Sequence, residues 1–170
     1  YFLDREKTPR DSEGNYDFEA IEALDLELIN GQLEDLLEGR EVTLPRFNFL
    51  TGKREEGPRV RMGKDDILII EGIHGLNSRI TSQIPADIKF SVYISPLTGI
   101  SLDRHNRTST TDNRLLRRLV RDRRLRGKSA STTLAQWPSV IRGAQRYIFP
   151  YQELADEMFN SALVYELAVL

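Results

Sequence analysis

The sequence predicts an α/β fold built on a parallel sheet, and three observations carry that expectation. Residues 65–70, DDILII, hold four branched apolar residues in succession, Ile67 to Ile70, which suits a strand covered on both faces. A second apolar run, Phe90 to Ile94, follows after a helix-length stretch, Leu76 to Ile84, giving the order strand, helix, strand. Two segments repeat apolar residues at steps of three and four: Ile21, Leu24, Leu28, Ile29, Leu33, Leu36 and Leu37 in one, and Leu115, Leu116, Leu119 and Val120 in the other.

Taken in order, the polar opening through Asn15 reads as loop, with Thr8-Pro9 and Gly14-Asn15 as turns. A helix is expected from Glu19 to a C-cap at Gly39. Val42 to Pro45 and Arg59 to Met62 are short strands flanking a turn-rich stretch, so a hairpin is expected there. Thr111 to Leu125 is a helix closed by Gly127, and two further helices are expected at Ser131–Trp137 and Ser139–Tyr147, with Pro150 as a stop. Ala162 to Leu170, rich in Val and Leu, reads as an edge strand.

At 170 residues, with 39% apolar and 29% charged residues, the chain suits one folded domain. It has no cysteine, which excludes disulfides and thiolate metal sites. No run approaches the ~20 apolar residues that span a bilayer and the first residues show no signal-peptide pattern, so a cytoplasmic protein without a membrane partner is expected. The net charge of -2 conceals an asymmetry: residues 1–41 hold thirteen acids and four bases, residues 104–128 ten bases and two acids.

That concentrated charge is the main chemical signal. At about 100° per residue, Arg114, Arg117, Arg118 and Arg121 fall within an arc of about 100°, opposite the leucines. Two guanidinium groups ~4 Å apart repel by roughly 4 kcal/mol at an effective dielectric of ~20, so four on one face call for an anionic partner. Guanidinium forks match phosphate oxygens and suit a polyphosphate. The alternatives are a solvated face, a pairing with the acidic first helix, and a nucleic-acid backbone; nucleic acid ranks lower because the rest of the chain is acidic.

Glu71 closes the run at 67–70 and Gly72 follows it. Ligands of open parallel sheets bind beyond the strands' carboxyl ends, where such an acid reaches the magnesium of a nucleotide. The competing reading is an acid that meets solvent or caps the next helix. No GxxxxGK[ST] loop is present, and Gly52-Lys53 reads as a hairpin tip. Phe47 and Phe49, two apart, would share a strand face and either stack on a flat base or join the core. His74 and His105 have no partner at metal-ligand spacing and are expected on polar surface or loop.

Together these pieces resemble the phosphoribulokinase/uridine kinase family of P-loop kinases. The resemblance is carried by Tyr1 with Phe18-Glu19 and Glu22 to Asp25, Pro45 to Phe49, Ile69 to Ile73, Arg114 to Asp122 with Arg126-Gly127, Gln136-Trp137 and Tyr151 to Asp156. It implies a P-loop NTPase-like three-layer fold over residues 1–170, one partial kinase-like domain with an arginine-rich helical lid at about 112–137. The family's phosphate loop and catalytic aspartate would precede Tyr1, so the sequence looks like a fragment that is inactive alone.

By the same resemblance, Glu71 matches the acid that organises Mg2+, and Arg118, Arg121 and Arg126 match lid arginines that close over the phosphates. Arg114, Arg117 and Asp156 fall to the donor nucleotide, ATP or GTP, and Asp156 aligns near the adenine loop. Lys128 and Gln136 align with lid residues that contact the nucleoside, and Glu19 or Asp17 with the acid that holds ribose hydroxyls. The aromatic pair Phe47 and Phe49 falls on the acceptor side. The implied reaction is transfer of the γ-phosphoryl group to a nucleoside 5'-hydroxyl. Phe47 and Gly52 stand where uridine kinases usually offer Tyr and His, which leaves another nucleoside or a different small hydroxylated acceptor open. A homo-oligomer also stays open.

Overall fold

The computed structural model describes residues 1–97 and 109–170, which group into two compact units. One comprises Tyr1–Phe90 with Gly143–Glu153, the other Ser91–Arg142 with Leu154–Leu170.

The first unit is organised by helix α1, Leu26–Leu37. Asp25 starts it, its Oδ1 accepting from the Leu28 N–H at 3.1 Å while Oδ2 accepts from Arg54 Nη1 at 2.7 Å. The expected helix from Glu19 therefore begins seven residues later. Ile21–Ala23 instead form a single 3-10 turn, held by the Leu3 N–H donating to the Ala23 carbonyl. The apolar period survives the break, because Ile21, Ile29, Leu33 and Ile80 form one buried cluster with Tyr1, Leu24 and Tyr147 against it. Each such side chain contributes roughly 1.5–3 kcal/mol by leaving water.

The expected hairpin forms from strands β1, Val42–Asn48, and β2, Lys53–Val60, antiparallel with Val42 opposite Val60 and Asn48 opposite Lys53. Its turn carries Gly52 at φ +72°, and a side chain there would begin 2.7 Å from the Arg5 guanidinium carbon. The turn is tied down at that point: the Arg5 N–H donates to the Gly52 carbonyl, and Arg5 Nη2 to the Phe49 carbonyl.

Two expectations in this unit are corrected. Residues 65–70 are not a buried strand: they have no regular secondary structure, and Ile67 and Ile69 are 88% and 84% exposed. A parallel strand exists only through its ladder, and no strand runs beside this segment among the described residues. Leu76–Ile84 is a chain of turns rather than a helix, with Asn77 and Ile80 buried. The Asn30 side chain holds it to α1, donating to the Arg79 carbonyl and accepting from the Ser82 N–H.

The second unit contains the parallel pairing. Strand β3, Val92–Ser95, pairs with β4, Glu157–Asn160, in parallel register from Val92 opposite Glu157 to Ser95 opposite Asn160. The partner of the 90–94 run is thus a segment near the C-terminus, not residues 65–70. Helix α2, Thr110–Arg126, starts on the Ser109 hydroxyl, which accepts from the Asp112 N–H, and stops at Gly127 in the left-handed conformation.

Helix α3, Ala130–Tyr147, replaces the two expected helices, with Pro138 inside it. Proline costs one intrahelical bond and usually a kink, but the eighteen-residue helix continues through it. Residues 166–169 form the short helix α4, Glu166–Val169, so the expected edge strand at 162–170 is absent and the strand lies earlier, at β4. None of the described helices is long and apolar enough to cross a membrane.

Candidate functional site

The arginine helix does not present the simple two-faced cylinder its periodicity suggests. Its fully buried residues are polar, Asn113 and Asp122, while Leu116 and Leu125 are exposed. The four arginines of the expected face are also divided. Arg117 turns to the C-terminal segment: Nε and Nη2 engage the two carboxylate oxygens of Glu166, Nη2 also donates to the Ser161 carbonyl at 2.8 Å, and Asn113 Nδ2 completes the set at 3.3 Å. The Arg117 hydrogen bonds hold the Glu166 carboxyl down at about 2, against the opposing effect of burial. Arg114, one turn earlier, is half-buried.

Arg118, Arg121 and Arg126 gather instead around Asp122, which is fully buried. Arg118 Nε lies 3.4 Å from Oδ2, Arg121 Nε 3.5 Å from Oδ1 and Arg126 Nη1 3.2 Å from Oδ1. From α3 the Thr133 hydroxyl donates to Oδ2 at 3.3 Å. Burial alone would raise the pKa of Asp122, but Arg118, Arg126 and Arg121 together outweigh it and the carboxyl is held below its ordinary range. The three arginines matched to a closing lid therefore form one cluster. Lys128 and Gln136, expected on the acceptor, are also brought together, with Lys128 Nζ donating to Gln136 Oε1 at 2.9 Å.

Asp156 accepts from the Ser91 hydroxyl at 2.6 Å and from the Ser91 N–H at 2.7 Å, and those bonds lower its pKa. It thereby locks the entry of β4 to β3.

The remaining candidates lie in the first unit. Glu71 is exposed in an irregular segment, immediately before Gly72. A lone carboxylate suits Mg2+, which prefers one or two carboxylates with water and substrate phosphate over an all-protein cage. No three His, Asp or Glu side chains gather as a protein-only metal site among the described residues. Asp17 and Glu19 are half-buried neighbours, the Glu19 N–H donating to Asp17 Oδ1 at 3.1 Å. The Glu19 Cβ lies 2.4 Å from where a side chain at Gly143 would begin, so α3 passes directly over it.

Phe47 sits between Phe2 and Phe49, with ring centroids at 5.5 Å and 5.2 Å. Phe49 falls in the turn after β1 rather than in the strand and is the exposed member of the pair. His74 is not on the surface as expected: it is buried edge-on against Tyr147, and burial lowers its pKa. His105 lies outside the described residues.

Sequence reasoning missed Glu166, Thr133 and Asn113 as members of these charged centres. The i,i+4 spacing of Arg118 and Arg126 about Asp122 was a usable signal for one centre. Glu166, forty-nine residues from Arg117, left none.

A model of the phosphoribulokinase / uridine kinase family matches residues 3–167, and the chain belongs to that family of P-loop kinases. It is 27% identical over 151 residues to uridine-cytidine kinase B of Dictyostelium discoideum, and 28% identical over 159 residues to a uridine kinase of Staphylococcus aureus (strain JH9). Those alignments cover 88% and 92% of this chain but 55% and 68% of the two relatives, so the chain spans only part of their length.

Proposed function

We propose that the protein carrying this chain is a cytoplasmic nucleoside kinase that moves the γ-phosphoryl group of ATP or GTP to a nucleoside 5'-hydroxyl, within a three-layer P-loop fold. The observation that carries this reading is the cluster of Arg118, Arg121 and Arg126 on α2, in a chain of this family. In phosphoryl transfer the protein mainly positions the reactants and stabilises charge on the transferring oxygens, and guanidinium groups suit both tasks.

In this reading Arg118, Arg121 and Arg126 hold the donor's phosphates, with Arg114 and Asp156 on the nucleotide side and Glu71 holding Mg2+. That ion, when bound, neutralises charge on the β- and γ-phosphates. Asp17 or Glu19 takes the sugar hydroxyls, Phe49 offers a face to the base, and Lys128 with Gln136 closes on the acceptor from about residues 112–137. The phosphate loop and the aspartate that takes the hydroxyl proton belong upstream of Tyr1. The exposed apolar run Ile67–Ile70 supports that last point, because such a run fits a strand whose ladder partners are supplied by further chain.

A second acceptor class is favoured by one observation. Gly52 has no room for a base-reading side chain beneath Arg5, and Phe47 has no hydrogen-bonding group, so a small hydroxylated metabolite other than uridine fits as well. Nucleic acid fits less well, since Arg117 is committed to Glu166.

The test is a panel of nucleosides and small polyols with Mg-ATP and Mg-GTP, assayed on the whole protein. Phosphorylation of a nucleoside is expected, and turnover of none of them would sink the reading. Residues 1–170 alone are expected to be inactive, and activity in them would overturn the reading that essential machinery lies outside them.

A further inference from the structure

The three lid arginines are held by a carboxylate that has no place in the roles described above. Asp122 is completely buried, and its carboxylate meets three guanidinium groups and one hydroxyl. A buried carboxylate kept only for helix stability would be better replaced by an apolar residue, unless its partners need the geometry it imposes.

That geometry is specific. Arg118 lies four residues before Asp122 and Arg126 four after, so the carboxylate meets both on the face of α2 that it occupies. Arg121 is adjacent in sequence and meets the carboxylate through Nε. The side chains of Arg121 and Arg126 remain 46% and 41% exposed while Arg121 Nε and Arg126 Nη1 face Asp122. Thr133 fixes the opposite oxygen from α3, across the left-handed turn at Gly127, where the Lys128 N–H donates to the Asp122 carbonyl. Asp122 thus ties the end of one lid helix to the start of the next and orders three cations that would otherwise repel one another.

We propose that Asp122 is a positioning residue that sets Arg118, Arg121 and Arg126 as a single receptor for the phosphate chain of the donor nucleotide. The inference rests on the kinase reading for the identity of the anion, and on the cluster itself for the arrangement. It makes a prediction opposite in sign to bulk electrostatics. Removing a negative charge from a cationic site should tighten anion binding if charge alone matters, whereas loss of a positioning group should weaken it.

The experiment is calorimetric titration of the whole protein with tripolyphosphate, without metal, for the native protein, Asp122→Asn and Thr133→Val. Asp122→Asn is expected to bind about tenfold more weakly and Thr133→Val about threefold, as befits the loss of a charged and a neutral anchor. In turnover assays Asp122→Asn is expected to raise KM for the donor or lower kcat while KM for the acceptor stays within about twofold, a split that general loosening of the fold would not produce. Unchanged or tighter tripolyphosphate binding by Asp122→Asn overturns the proposal. Should that variant fail to fold, the same result in Thr133→Val overturns it. A native protein that binds tripolyphosphate in this pattern but phosphorylates no acceptor would refute the kinase reading and leave the role of Asp122 standing.

Discussion

The two compact units differ in what dominates their buried centres. In the first, the centre is apolar: Ile21, Ile29, Leu33 and Ile80 pack together under α1. In the second, Asn113, Asp122, Thr133, Glu166 and Ser95 are buried, and much of the apolar surface, including Ile94, Leu116, Leu125 and Phe159, is exposed. One unit is held by area removed from water, which is non-directional and forgiving of small displacements. The other is held by charged hydrogen bonds, which fail when a partner is lost but place their donors at fixed points. Under the kinase reading proposed above, a unit that aims arginines at phosphate gains from the second kind of centre.

The sharpest way to break that contrast is Glu166→Gln, which strands Arg117 among groups arranged for a carboxylate. A loss of roughly 3–5 kcal/mol is expected, seen as faster amide exchange in α2 and β4 with α1 unaffected. Replacing both partners, Arg117→Met with Glu166→Met, should restore most of it, because the penalty belongs to the unpaired charge. Leu33→Ala addresses the other centre and should cost about 2–5 kcal/mol, reported by exchange in α1 and the turns at 76–84.

Acid should separate the units next. The folded Glu166 carboxyl titrates at about 2, below its ordinary value of 4.5. The unfolded chain therefore takes up the proton first, so the stabilisation is fully present above 4.5 and is lost as pH falls from there toward 2. Thermal melts followed at α2 should drop through that window, by on the order of 3 kcal/mol, while a Glu166→Gln protein shows no such fall. Asp25→Ala is the mildest change. Loss of the α1 cap should cost about 1 kcal/mol in denaturant melts, and stability unchanged by the substitution would show that Asp25 does not carry the start of α1.

Legibility followed the same division. Periodicity located α1, although the capping carboxylate of Asp25 moved its start, and turn chemistry located the β1–β2 hairpin. The same periodicity misjudged α2, since it assumes that leucines turn inward, and here Asn113 and Asp122 do. The run at 67–70 looked like a buried strand because composition registers only that a segment would suit burial; pairing depends on a partner. For the site, the clustering of arginines was visible along the chain, but the division between Arg117 and the other three was not.

By itself the sequence determined the α/β class, the amphipathic helices, the concentration of positive charge on one of them and the family resemblance. These depend on local period and on residue order, which a chain carries before it folds. The tertiary structure alone decided that residues 92–95 pair with 157–160, that Glu166 claims Arg117, and that Asp122 and Thr133 bind the end of α2 to the start of α3. Each of those choices is a competition among distant partners for a ladder or a charge. Its outcome is set by burial and geometry, which no local pattern records.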